Sequence, residues 1–197
     1  MVSATQKDNG DEQAASPGRR IWIEVWDTVR AVGVAVIVAL LIKQFLINTY
    51  TVDGPSMEPN FHTGERVLVL RAAYDFGTQP QPGQVIVFKP PISSPDDFIK
   101  RVIAVGPATV RETPNGQIYV NGALQPEPFI YPPYRAPAGG YPTTEVWRVP
   151  AGDVFVMGDH RTDSEDSRVF GPVSEKAIAG RVLLVWWPLA DFHAVSS

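Results

Sequence analysis

Apolar residues fall into two regimes along the chain. Between Ala31 and Tyr50 they run almost without interruption, with Lys43 the only charge in 20 residues; beyond Tyr50 they come in short bursts separated by Gly, Pro, Asn and Asp. A helix of that first length rises about 30 Å, the thickness of a bilayer's hydrocarbon core. Ile21, Trp22, Val25, Trp26 and Val29 recur at helical spacing just before it, so residues 21–50 read as an interfacial segment leading into one transmembrane helix. A buried soluble helix is the alternative, because the uninterrupted apolar core is only Ala31 to Ile42. A cleaved leader is a poorer fit, since Lys43, Gln44 and Phe45 stand where a small-residue cleavage site would be needed. Arg19, Arg20 and Arg30 precede the span, which puts the N-terminus in the cytoplasm and residues 51–197 on the outer side.

The second regime predicts strands. Residues 66–70, 84–88, 98–105, 109–112, 117–120, 145–149, 154–157 and 181–187 are rich in β-branched or aromatic side chains. Asn115-Gly116 and Asn121-Gly122 mark turns around one short strand, and only Ser174 to Ala179 reads as helical. The fold class expected is mainly β, an antiparallel sheet partly closed or folded over, behind one N-terminal helix. Six prolines and a Gly-Gly pair make residues 125–145 a proline-rich lobe, and residues 1–20, polar and without periodicity, a disordered tail.

Composition narrows the chemistry. A net charge of -4, with 12 basic against 16 acidic residues after Tyr50, argues against nucleic acid as a partner. The absence of cysteine removes disulfides, thiolate catalysis and Cys-ligated zinc. Neither the three histidines nor the carboxylates show a metal-ligand spacing, so no metal or other cofactor is expected.

What remains is hydroxyl chemistry. Ser56 follows Gly54 and Pro55 in a sharp turn directly after the apolar span. A serine nucleophile needs a base. On the predicted strand Phe98 to Val105, Lys100 shares a face with Phe98 and Val102, which would desolvate it. An ordinary lysine is neutral in about one molecule in 2,500 at pH 7, so that desolvation is required before it can accept a proton. A Ser56/His160/Asp159 triad is the rival, weakened because adjacent residues on an extended segment point apart. His62 and His193 read as surface residues. The polar stretch Val156 to Arg168 carries charges able to pair with Arg101 in a buried network.

These segments together resemble the type I signal peptidases, membrane-anchored serine proteases with a Ser/Lys dyad. The resemblance rests on DGPSMEPNFHTGERVLV, GQVIVFKPP, DDFIKRVIAVG and VFVMGDHRTDSEDSRVFGPV, in the family's order behind a hydrophobic span. It implies that Ser56 is the nucleophile, Lys100 the general base and Ser164 the hydroxyl that orients Lys100. The Ser56 N–H would contribute to the oxyanion hole, unaided by a side chain two residues earlier, where this chain has Gly54. Arg101, Asp159, Asp166 and Arg168 would form structural ion pairs, and Val52, Met57, Phe61, Val87, Phe98 and Ile99 would line shallow pockets for small substrate side chains. Two departures stand out: His160 where the family carries asparagine, and Ala104 to Ala108 in place of a Gly-Leu-Pro-Gly-Asp-like turn. Partners implied are preproteins bearing signal peptides and the lipid bilayer. A protease dedicated to one substrate, of the pilin or conjugation-factor kind, and a non-catalytic membrane-tethered β module remain as alternatives.

Overall fold

The computed structural model describes residues 25–38, 46–74, 77–130 and 145–195. The predicted tail, residues 1–20, and most of the proline-rich lobe lie outside them. The chain divides into two units, Met1–Ile42 and Lys43–Ser197.

In the first unit, residues 25–38 form a single helix, α1, that continues through the position where an interfacial segment was expected to give way to a span. Its apolar residues are exposed on all sides, from Trp26 and Val29 to Val36, Ile37 and Val38. Among the described residues no helix is long and apolar enough to cross a membrane.

The second unit is built of antiparallel strands, and its first element corrects the expected span. Ile47–Thr51 forms strand β1, paired residue for residue with β2, Arg66–Leu70. The helix therefore does not reach Tyr50. The reason is local: Asn48, Thr49 and Thr51 are poor helix formers, and Thr and Tyr favour a pleated surface.

The other main strands are β3 (Val85–Phe88), β4 (Phe98–Val105), β5 (Ala108–Glu112), β6 (Ile118–Val120), β7 (Ala123–Leu124), β8 (Glu145–Val149), β9 (Asp153–Met157), β10 (Val173–Ser174), β11 (Ile178–Trp187) and β12 (His193–Ala194). Those foreseen in the sequence lie within a few residues of their predicted bounds. Ser174 to Ala179 is the exception. Its helical part shrinks to a 3-10 turn, Glu175–Ala177, because Ile178 is already drawn into β11 beside β3. A short helix, α2 (Ser167–Phe170), was not foreseen.

The larger sheet runs β1-β2-β11-β3-β4-β9-β10, with β12 also on β11; the smaller runs β7-β6-β5-β8. Strand β3 is buried at every position, its Val85 and Val87 entering one core and Ile86 and Phe88 another. A third core joins the sheets: Ile103 and Ala104 of β4 and Phe155 and Met157 of β9 meet Val110, Ile118 and Val149 of the smaller one.

At about 4.8 Å per strand, β1 and β4 would lie about 19 Å apart if the larger sheet were flat. It curls, and the register shifts along β11 against β2 and β3, and between β4 and β9, supply the bend. At the shift of β11 against β3, Gly180 lets the β11 and β2 backbones meet: a Cβ there would stand 2.5 Å from Leu70 O. The curl brings the loop after β1 over the face of β4, which carries Lys100.

Candidate active site

The loop between β1 and β2 is closed at its base by Val52 N–H to Glu65 O (2.8 Å) and Gly64 N–H to Val52 O (2.9 Å). Within it Pro55 to Phe61 makes a compact turn, with Glu58 N–H on Pro55 O and both Asn60 and Phe61 N–H on Met57 O. Met57 and Phe61 are fully buried in the first core and hold the turn down. Ser56 is left half-buried, its carbonyl accepting from His160 N–H at 3.1 Å. The Ser56 N–H has no hydrogen-bond partner among the described residues.

Lys100 lies mid-strand in β4, between Ile86 of β3 and the bulged pairing with β9. It is 4% exposed, with Nζ 5.3 Å from the centre of the Phe98 ring and 2.7 Å from Ser56 Oγ, to which it donates. Burial pushes its pKa down to about 8, against the opposing pull of Asp166, Glu165 and Asp159. Such an amine is neutral in an appreciable fraction of molecules near neutrality and can take the hydroxyl proton.

Two ion pairs flank this contact. Arg101 donates Nε to Asp159 Oδ1 (2.8 Å) and Nη2 to Oδ2 (2.7 Å), with Nη1 on Gly83 O. Arg168 holds Asp166 in the same two-pronged way, at 2.9 Å for each bond, while Asp166 also receives Gly158 N–H and caps α2. Burial alone would raise the Asp166 pKa; the Arg168 hydrogen bonds and charge and the Gly158 N–H overcome it and hold the carboxyl below its usual range. The four charged residues expected to pair thus do so, as Arg101 with Asp159 and Arg168 with Asp166. A third pair, Arg161 with Glu127, was not foreseen, nor was Phe129, whose ring centre lies 4.3 Å from the Arg101 guanidinium.

Gly158 is the point of closest approach: a Cβ there would fall 2.3 Å from Ser164 Oγ and 2.4 Å from Ser56 O. Ser164 Oγ is buried in that crevice without a well-formed hydrogen bond among the described residues, yet lies near enough to Asp166 to help hold that carboxyl's pKa down. The structure does not bring it onto Lys100, whose ammonium bonds Ser56 instead. The histidine triad is not assembled either. Asp159 is committed to Arg101 and Asn60, and His160 Nδ1 is buried without a partner. His62 is exposed and bonds Glu65; His193 is exposed. Among the described residues no group of His, Asp and Glu could hold a metal ion.

An open cleft of about 640 Å³ contains Ser56 and Lys100 and is walled by Val52, Val87, Phe98 and Ile99, four of the six residues expected there. Met57 and Phe61 do not line it. Both are buried in the core beneath the turn. Tyr50, Val67 and the carboxylates Asp53, Asp96, Asp97 and Glu165 also line it. The departure at Ala104 to Ala108 falls on a tight turn from β4 to β5, held by Gly106 N–H on Asp153 O, and leaves Lys100 in register.

The arrangement is a hydroxyl, a desolvated amine and an unpaired N–H facing a peptide-sized cleft. A family model described as signal peptidase, peptidase S26, matches residues 25–187. Signal peptidase IB of Staphylococcus aureus (strain COL) is 33% identical over 183 residues, which cover 86% of this chain and 93% of that one. "Probable signal peptidase I-1" of Synechocystis sp. is 36% identical over 191 residues, 92% of each chain. A solved signal peptidase I from Enterococcus faecalis V583 is 27% identical, covering 53% of this chain and 97% of its own with a TM-score of 0.46. The chain belongs to the type I signal peptidases of peptidase family S26.

Proposed function

We propose that this signal peptidase is a membrane-anchored serine endopeptidase in which Ser56 is the nucleophile and Lys100 the general base, removing signal peptides from exported preproteins. The observation that carries the reading is the 2.7 Å contact between Ser56 Oγ and the amine of a lysine that has no carboxylate bonded to it. Neutral Lys100 Nζ takes the hydroxyl proton as Ser56 Oγ bonds to the scissile carbonyl carbon. The carbonyl oxygen, now negative, is met by the Ser56 N–H. As the C–N bond breaks, Lys100 returns its proton to the leaving amine, and the mature protein departs with a free N-terminus. Lys100 then takes a proton from water as its oxygen bonds to the acyl carbon, and gives that proton to Ser56 Oγ as the ester bond breaks, which frees the signal peptide's C-terminus and restores both groups.

The substrate reading follows from the cleft. Val52, Val87 and Ile99 present aliphatic walls beside the Ser56–Lys100 pair, suited to the small side chains that precede a signal-peptide cleavage site. Membrane attachment is supported by α1, whose apolar side chains are exposed all round and so call for a lipid environment, and by the apolar sequence that follows it. Arg19, Arg20 and Arg30 place its N-terminal side in the cytoplasm and the β unit outside.

The deciding experiment is cleavage of a synthetic signal-peptide substrate in detergent. Wild type cuts at one site, and Ser56→Ala and Lys100→Ala do not; activity that survives Lys100→Ala would sink the dyad.

A further inference from the structure

Ser56 and Asn60 belong to one tight turn, Pro55 to Phe61, in the loop after β1. Asn60 Nδ2 donates to Asp159 Oδ2 at 2.9 Å and to Phe129 O at 2.6 Å. Asp159 is the carboxylate that grips Arg101, the residue after Lys100. A route of contacts therefore runs from the Ser56 turn through Asn60, Asp159 and Arg101 into β4. It joins the hydroxyl's segment to the amine's strand independently of the bond between them. A second strap, His160 N–H on Ser56 O, comes from the residue after Asp159.

The amide suits this place for a chemical reason. One NH₂ group supplies both donors; an aspartate would oppose Asp159, and a hydroxyl offers a single donor. The carboxylate it meets is buried and already held by two hydrogen bonds from Arg101, so the contact tolerates little displacement.

We infer that Asn60 is a positioning residue for the reaction: its amide pins the Ser56 turn to the Arg101–Asp159 pair and thereby fixes Ser56 Oγ against Lys100 Nζ. Through Phe129 O, the segment entering the proline-rich region is held at the same node. The inference rests on the Ser56/Lys100 reading. Displacements on the order of 1 Å between reacting groups cost about 100-fold in rate.

The test uses the full chain in detergent, a synthetic signal-peptide substrate and the variants Asn60→Asp, of equal size, and Asn60→Ser, with one donor left. The result expected for Asn60→Asp is a kcat lower by about 10- to 100-fold with KM within about threefold. Acylation of Ser56 by a serine-directed probe slows in parallel. The ascending limb of the pH profile moves to higher pH as water reaches Lys100 among Asp159, Glu165 and Asp166, and Asn60→Ser falls between the two. A kcat within about twofold of wild type and an unmoved pH profile, or a loss confined to KM, overturns the positioning role. Should Asn60→Asp not fold, Asn60→Ser is judged by the same criteria. Ser56→Ala, run alongside, separates the two ideas: cleavage that survives it defeats the dyad itself, whereas Ser56-dependent cleavage unaffected at position 60 defeats only the role of Asn60.

Discussion

Lys100 and Arg101 are neighbours on β4, and each is 4% exposed. Arg101 meets a buried carboxylate with two hydrogen bonds and a carbonyl with a third; Lys100 meets a hydroxyl and the face of a phenylalanine ring. Burial is thus equal and the company is opposite. The guanidinium, with its counter-ion at 2.7 Å, acts as a rivet; the amine, without one, has its pKa pushed down by burial to about 8. Proximity to carboxylates is not the distinction, since Asp166, Glu165 and Asp159 all act on Lys100 from a distance. What distinguishes the two sites is whether a carboxylate makes contact.

The sharpest way to break this contrast is to remove the reacting groups. Ser56→Ala and Lys100→Met are each expected to lower kcat/KM for a signal-peptide substrate by at least about 10⁴-fold. On the other side of the comparison, Arg101→Met strands Asp159, itself 1% exposed, and is expected to cost about 3–5 kcal/mol in denaturant unfolding.

Lys100→Met should move stability the opposite way. Between pH 8 and 10.5 the unfolded chain holds the Lys100 proton more firmly than the folded one, so the penalty is fully present below about pH 8 and fades as pH rises to 10.5. At pH 7 the methionine variant is therefore expected to be more stable by about 3 kcal/mol, with the gain vanishing above pH 10.5. An unchanged or lower stability at pH 7 would mean that Lys100 is not held at a cost. The same shift sets the catalytic profile. kcat/KM should rise about tenfold per pH unit below an apparent pKa near 8 and level off above it, as the neutral amine becomes the main form. The smallest effect is expected at His160→Ala, within about threefold of wild type, because His160 contributes its backbone N–H to Ser56 and its ring makes no bond.

Much of the site could be read in advance because its parts advertise themselves locally. Lys100 alternates with Phe98 and Val102 along one strand, and the acidic and basic residues from Asp159 to Arg168 crowd into one loop. Asn60 gave no such signal: its partners lie 69 and 99 residues away, and a single amide in a turn has many uses. Met57 and Phe61 were misread for a related reason. Sequence neighbours of a nucleophile need not face the substrate when the backbone coils, and in this turn they face the core. β1 was hidden because its apolar start continues the run before it, and only pairing with Arg66–Leu70 makes it a strand.

Strand β11 sits between β2 and β3, so the half of the sheet that leads into Ser56 touches the half that bears Lys100 through residues 178–187, made long after both. On the ribosome, a chain that already contains the hydroxyl and the amine still lacks the rail between them. The two halves therefore become one sheet only when the chain beyond Ile178 is in place, so the sheet is completed from its far end.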